Sequence, residues 1–174
     1  CAGGTGAFID QMATLLNVTA GEFDELSLQA EKAYPIASRC GVFAKSDIQP
    51  LLNQGAKKSD VAASVYKAVV TQTIAGLARG KKIEGKVLFL GGPLYYLKGL
   101  QKAFKETLKL SDENAVFPDY ARYAVALGAS YYAGKTADAI KLSELIAKIE
   151  KCGGGTLGDV YAPLFANKEE YDEF

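Results

Sequence analysis

Two cysteines and two glycine-rich turns are the residues of this chain whose types and spacing could do chemistry. Cys1 opens the stretch "CAGGTGAFIDQMATLL", where Gly3, Gly4, Thr5 and Gly6 feed a helical pattern. A helix N-terminus favours negative charge, so a thiolate there, or an anionic group hung from it, is stabilised. Cys40 stands in "SRCGVFAK", again beside a glycine and ahead of a helical pattern. Taken alone, both also read as ordinary cysteines, and Cys1 as no more than the point where the sequence starts. Cys152 fits neither pattern and reads as structural or surface. No two cysteines form a CxxC pair, so a self-contained zinc site is not expected. Two cysteines could still supply half of a four-thiolate site if a second subunit supplied the rest.

The glycines admit two readings as well. Gly3, Gly4, Thr5 and Gly6 would let the backbone approach a phosphate or ribose closely, or simply make a turn. Gly91 and Gly92, in "FLGGPLYY", mark either a nucleotide-flanking turn or a plain strand-to-helix turn.

Composition narrows the classes. The 174 residues suffice for one domain with a core, and 49% are apolar. Lys+Arg and Asp+Glu balance at 20 each, which argues against a nucleic-acid binder. No histidine is present, which removes the commonest general base and zinc ligand. Catalysis would have to come from carboxylates, lysines, backbone amides, a metal held by oxygen or sulfur, or a bound cofactor. No run approaches 18 uninterrupted apolar residues, so no membrane span is expected. No signal peptide is read. Three sparse cysteines do not make a disulfide framework and point to a reducing cytoplasm.

Around these residues the periodicity predicts seven helices and two strands. Ala7 to Leu16 carries Phe8, Met12, Leu15 and Leu16 on one face. "TAGE" at Thr19 to Glu22 is a capping box that starts a helix to about Ala33, before Pro35. Ser46 and Gln49 suggest another box, with a short helix to Asn53 and Gly55 as its stop. Ser59 and Asp60 start a long helix to about Arg79, with Val61, Val65, Ala68 and Val69 on one face and Gly80 closing it. "VLFL" reads as a buried parallel strand and Pro93 as a first helical residue. A helix from Leu94 to Leu108 then crosses over, right-handed, to a second strand, "AVF". Helices over Ala121 to Ala133 and about Ala137 to Lys151 follow, then an acidic aromatic tail.

Three stretches together resemble the ATP-hydrolysing activators of 2-hydroxyacyl-CoA dehydratases, a family shared with benzoyl-CoA reductase ATPase subunits. They are "CAGGTGAFIDQMATLL", "SRCGVFAKSDIQPLLNQG", and "FLGGPLYYLKGLQKAF" followed by "FPDYARYAVALGASYYA". The resemblance covers about residues 1 to 134. It implies an α/β fold: part of an actin-like, ribonuclease-H-like ATPase lobe, helix-rich with a small parallel sheet. Residues 1–134 would be a portion of the second lobe, and 135–174 a C-terminal helix and connector.

The resemblance further implies that Cys1 and Cys40 ligate one [4Fe–4S] cluster shared between the subunits of a homodimer. The two cysteines should then lie near each other, each at a helix N-terminus. ATP with Mg²⁺ would bind near Gly3, Gly4, Thr5, Gly6, Gly91 and Gly92. Its hydrolysis would drive an electron to a 2-hydroxyacyl-CoA dehydratase-type acceptor. No nucleic acid or membrane partner is implied, and the location is cytoplasmic. The sequence departs from the family after Gly92: "PLYYLKG" replaces a short aliphatic stretch ending in Asn, so Tyr95 and Tyr96 either pack on the base or fill the core. The family's acidic, glycine-rich phosphate loops are absent, so the chain is expected to be a piece of a larger member, inactive alone. Two other readings stay open: a nucleotide-binding lobe of another actin-like phosphotransferase with no redox role, and a non-catalytic interaction module.

Overall fold

The computed structural model describes residues 4–37, 41–136, 139–152 and 164–174. They divide into two compact units, one through Tyr132 and the other from Ala133.

In the first unit, α1 (Thr5–Leu15) buries Phe8, Ile9, Met12 and Ala13. The capping box forms as expected ahead of α2 (Ala20–Leu28): Thr19 Oγ1 accepts from Glu22 N at 3.2 Å, and Thr19 N donates to Glu22 Oε2 at 2.7 Å. The helix stops at Leu28, five residues short of the expected Ala33. The reason lies in α4 (Lys58–Ala78). There, Asp60 Oδ1 accepts from Glu31 N at 2.9 Å and Lys32 N at 3.3 Å, and Ser64 Oγ accepts from Tyr34 N at 2.7 Å. The backbone N–H groups that would have extended the helix bond to side chains of another element instead.

Helix α3 (Gly41–Asn53) begins earlier than expected. Ser46 is no cap: it lies inside the helix and its hydroxyl donates to Val42 O at 3.1 Å. Pro50 also lies inside. Gly55 is the expected stop, with a φ of +81°. Its N–H donates to Leu52 O and that of Ala56 to Leu51 O, a Schellman closure. Helix α4 starts at Lys58, and Asp60 does not cap it but reaches across to the strap after α2. By length and composition α4 could cross a bilayer. Its apolar surface has another use, since Val61, Ala62, Val65, Tyr66, Val69 and Val70 are buried in the core. It ends with Arg79 and Gly80 both in the left-handed region.

The two strands pair in parallel, as expected, but are short: β1 (Val87–Leu88) matches Val87 to Ala115 and Leu88 to Val116 of β2 (Ala115–Val116). One further ladder bond runs from Phe89 N to Val116 O at 2.9 Å. Phe89 stacks on Phe117 with centroids 4.6 Å apart and touches Phe104 at 5.4 Å, which fastens the strand ends to the crossover.

That crossover is two helices rather than one: α5 (Gly92–Tyr96) and α6 (Lys98–Leu108), parted at Leu97, which is extended at φ −98° and ψ 102°. Pro93 sits in the first turn of α5, where its missing N–H is harmless. A 3-10 turn (Ala121–Tyr123) precedes α7 (Ala124–Thr136), where one helix was expected. Helices α2, α4 and α6 pack on one another, and α1 packs on α3 and α4.

The second unit holds α8 (Leu142–Lys151) and α9 (Lys168–Glu173). Of the expected helical start at Ala137, residues 137 and 138 lie outside the described ones, and Ile140 precedes the helix. Helix α9, not anticipated, is capped by Asn167, whose Oδ1 accepts from Glu170 N at 2.9 Å, while Phe165 packs on Tyr171 and Phe174. The described residues thus form nine α-helices against the seven expected, the extra two being the split crossover and α9.

Candidate functional site

The two glycine turns, 85 residues apart in sequence, come together in space. Thr5 and Gly6 at the start of α1 and Leu90, Pro93 and Leu94 around the start of α5 line one cleft of about 360 Å³, with Thr73 of α4. A Cβ on Gly6 would stand 3.7 Å from Pro93 Cγ, an ordinary contact, so the two turns are neighbours without crowding.

Each turn has a local cause. Gly4 is the N-cap of α1 and brings no side chain to cap it, so the N–H groups of the first turn are left to the surroundings. Gly91 has a φ of +111°, a conformation L side chains rarely adopt. Its N–H donates to Ala121 O at 2.9 Å, which pins the turn to the 3-10 segment, and its carbonyl accepts from Tyr95 N at 3.1 Å. A Cβ on Gly4, Gly91 or Gly92 would meet nothing within 4 Å. That is open space in which a ligand can approach the backbone. Gly3 lies outside the described residues.

Tyr95 and Tyr96 are not core residues; nothing in α5 is buried, and Tyr96 is 60% exposed. They meet edge to face at 4.8 Å. Arg122 stands 4.9 Å over the Tyr95 ring and 4.6 Å over that of Tyr123, and its guanidinium donates to Tyr96 Oη at 3.1 Å. That hydrogen bond, above all, raises the Arg122 pKa above its ordinary value. The result is a partly exposed aromatic and cationic cluster just after the Gly91 turn. Sequence reading picked out the tyrosines but missed Arg122; the "YARY" spacing was its only signal.

The break at Leu97 is built by a buried carboxylate that sequence reading also missed. Asp24 of α2 accepts from Lys98 N (Oδ2, 2.8 Å) and Gly99 N (Oδ1, 2.9 Å), the first two N–H groups of α6. In an unbroken helix these would bond to the carbonyls of residues 94 and 95. The Leu94 carbonyl is satisfied instead by Gln101 Nε2 at 2.7 Å. Tyr66 of α4 donates to Asp24 Oδ1 at 3.0 Å. Burial first, and then the Asp24 charge, pushes the Tyr66 hydroxyl pKa well above the usual phenol range.

Cys1 and Cys40 lie outside the described residues, as does the expected approach of one to the other. What is described is their surroundings. Cys40 immediately precedes Gly41, where α3 begins, and a Cβ on Gly41 would come within 3.0 Å of Gln11 Oε1 on α1. The start of α3 therefore lies against the Gln11 side chain, in the second half of α1. On the other side of Cys40, Ala37 N donates to Asp47 Oδ2 at 2.8 Å. Cys152 is exposed with a free thiol. Among the described residues no three Cys, Asp or Glu side chains gather as a metal group. Asp24, Asp47 and Asp60 each accept from backbone N–H groups instead.

A two-stranded parallel sheet crossed by helices, with paired glycine turns at one cleft, is a piece of an actin-like ATPase fold. The model of the BadF/BadG/BcrA/BcrD ATPase family matches residues 1–133, and the chain belongs to that family. It is 36% identical over 137 residues to the (R)-2-hydroxyglutaryl-CoA dehydratase activating ATPase of Acidaminococcus fermentans, covering 79% of this chain and 51% of that protein. To the 2-hydroxyisocaproyl-CoA dehydratase activator of Clostridioides difficile it is 29% identical, over 76% of this chain and 48% of that one. The chain thus spans about half the length of the curated relatives it matches. The solved structure of component A of the A. fermentans dehydratase superposes with a TM-score of 0.66 over 79% of this chain and 51% of its own. The activator from C. difficile with bound ADPNP, 27% identical, superposes at 0.63 over 81% of this chain and 53% of its own.

Proposed function

We propose that this chain is the nucleotide-facing and cysteine-bearing part of an ATP-dependent activator, which passes an electron to a 2-hydroxyacyl-CoA dehydratase or related reductase. The observation that carries the nucleotide half is the meeting of the Thr5–Gly6 and Leu90–Leu94 segments at one cleft. A relative at 27% identity is described with ADPNP bound, which supports the same reading. In this reading Gly3, Gly4, Thr5 and Gly6 offer backbone N–H groups at the start of α1. Gly91 and Gly92 keep the second turn free of side chains, and the Tyr95–Tyr96–Arg122 surface borders it.

The electron-transfer half rests on Cys1 and Cys40, read as two thiolates from each subunit of a homodimer. A [4Fe–4S] cluster held there would supply one-electron chemistry. In this reading α1 and α3, which pack on each other, follow the two cysteines, and the N–H groups of their first turns would favour an anionic cluster. The experiment uses the full protein that contains this chain, reconstituted anaerobically with iron and sulfide. The expected product is a brown dimer with about four irons per two chains. Cys40→Ser should remove the iron and leave ATP binding intact. A full iron load in that variant would end the electron-donor reading and favour a phosphotransferase with no redox role.

A further inference from the structure

Nothing in the family match assigns a role to Asp24, yet its carboxylate decides where the nucleotide turn stops and α6 begins. It is 7% exposed, and its two oxygens accept from Lys98 N, Gly99 N and Tyr66 Oη at 2.8, 2.9 and 3.0 Å. A carboxylate at a helix N-terminus accepts the free N–H groups and its charge also meets the positive end of the dipole. Here the cap comes from another helix, since no side chain of Leu97, the N-cap residue, can provide it. Gly99 admits the cap: a Cβ there would fall 1.9 Å from Ser27 Oγ and 3.0 Å from Asp24 Oδ1. With Lys98 N and Gly99 N taken, α5 must close at Tyr96, which sets the five-residue turn between Gly91 and Leu97. Both sides of the break line the cleft: Leu90, Pro93 and Leu94 before it, Leu100 and Phe104 after it.

We infer that Asp24 is a positioning residue for the nucleotide site: by capping α6 from α2 it holds the Gly91–Leu97 turn in its binding geometry. This rests on the ATP reading proposed above. The experiment compares wild type, Asp24→Asn and Tyr66→Phe in the full protein. Three readouts are taken: ATP hydrolysis below the unfolding temperature, thermal unfolding, and hydrogen exchange of the amides of residues 90–99. D24N is expected to raise KM for ATP about three- to tenfold with kcat changed less than about twofold, the pattern of lost binding rather than lost chemistry. Exchange should quicken over residues 90–99 and hold elsewhere in the core. Y66F, which leaves both backbone bonds, should shift both readouts in the same direction and by less. A lower unfolding temperature with KM and local exchange unchanged would overturn the inference and leave Asp24 a fold residue. If D24N does not fold, Y66F decides: unchanged KM and exchange overturn it. If wild type fails to bind ATP, the function reading fails, and the exchange data alone decide whether Asp24 holds the turn.

Discussion

A methyl group at Gly99 would sit 1.9 Å from Ser27 Oγ and 2.9 Å from Tyr66 Cε2, both in buried surroundings. Gly99→Ala should therefore destabilise the protein by about 2–3 kcal/mol, the scale of an overpacked core site. Urea unfolding of G99A, S27A and the double variant would measure this, and relief in the double variant would locate the clash. Asp60 makes a pH prediction. Hydrogen bonds from Glu31 N, chiefly, and Lys32 N hold its carboxyl below the usual carboxylate range, against the opposing pull of burial. A depressed folded-state pKa gives stability that is present above the unfolded value, about 3.9, and lost as pH falls through the folded value. Asp60→Asn should thus flatten the acid limb of the stability profile below about pH 4 and lower the plateau above it. An acid limb as steep as wild type's would show that other carboxylates set it.

Helix boundaries differ from the sequence pattern wherever a side chain from a distant element takes a backbone N–H. Asp60 and Ser64 end the α2 region early, and Asp24 breaks the crossover. Thr19, by contrast, caps locally and its box was plain in "TAGE". Thr19→Ala should cost about 1 kcal/mol in urea unfolding, as a local cap does. Phe104 belongs to the contacts that tie α6 to the strands, tilted against Phe89 at 5.4 Å and 6% exposed. Phe104→Ala should cost about 3–5 kcal/mol, because it opens a cavity between the helix and the strand ends. The loss should also appear as faster exchange at Phe89 N, the amide that continues the parallel ladder.

At the scale of the molecule, the chain spans about half the length of its curated relatives, and no acidic, glycine-rich phosphate loop occurs in its sequence. The 174-residue chain alone is therefore expected to bind ATP weakly, since most affinity for a triphosphate comes from such loops and Mg²⁺. Titration calorimetry giving a micromolar Kd for the isolated chain would contradict this.

The sequence by itself determined the family, the glycine turns, the capping box, the Gly55 and Gly80 stops and the parallel pairing of "VLFL" with "AVF". Each of these rests on signals within a few residues or on one contiguous motif. Only the tertiary structure decided that the Thr5–Gly6 and Gly91 regions share a cleft, that the tyrosines of "PLYY" face outward against Arg122, and that the crossover is cut at Leu97. Those facts depend on pairs such as Asp24 with Gly99, 75 residues apart, whose meeting is fixed by the packing of α2, α4 and α6. A buried aspartate in a helix has the same local pattern as a solvated one; its partner, and hence its role, exists only once the helices are packed.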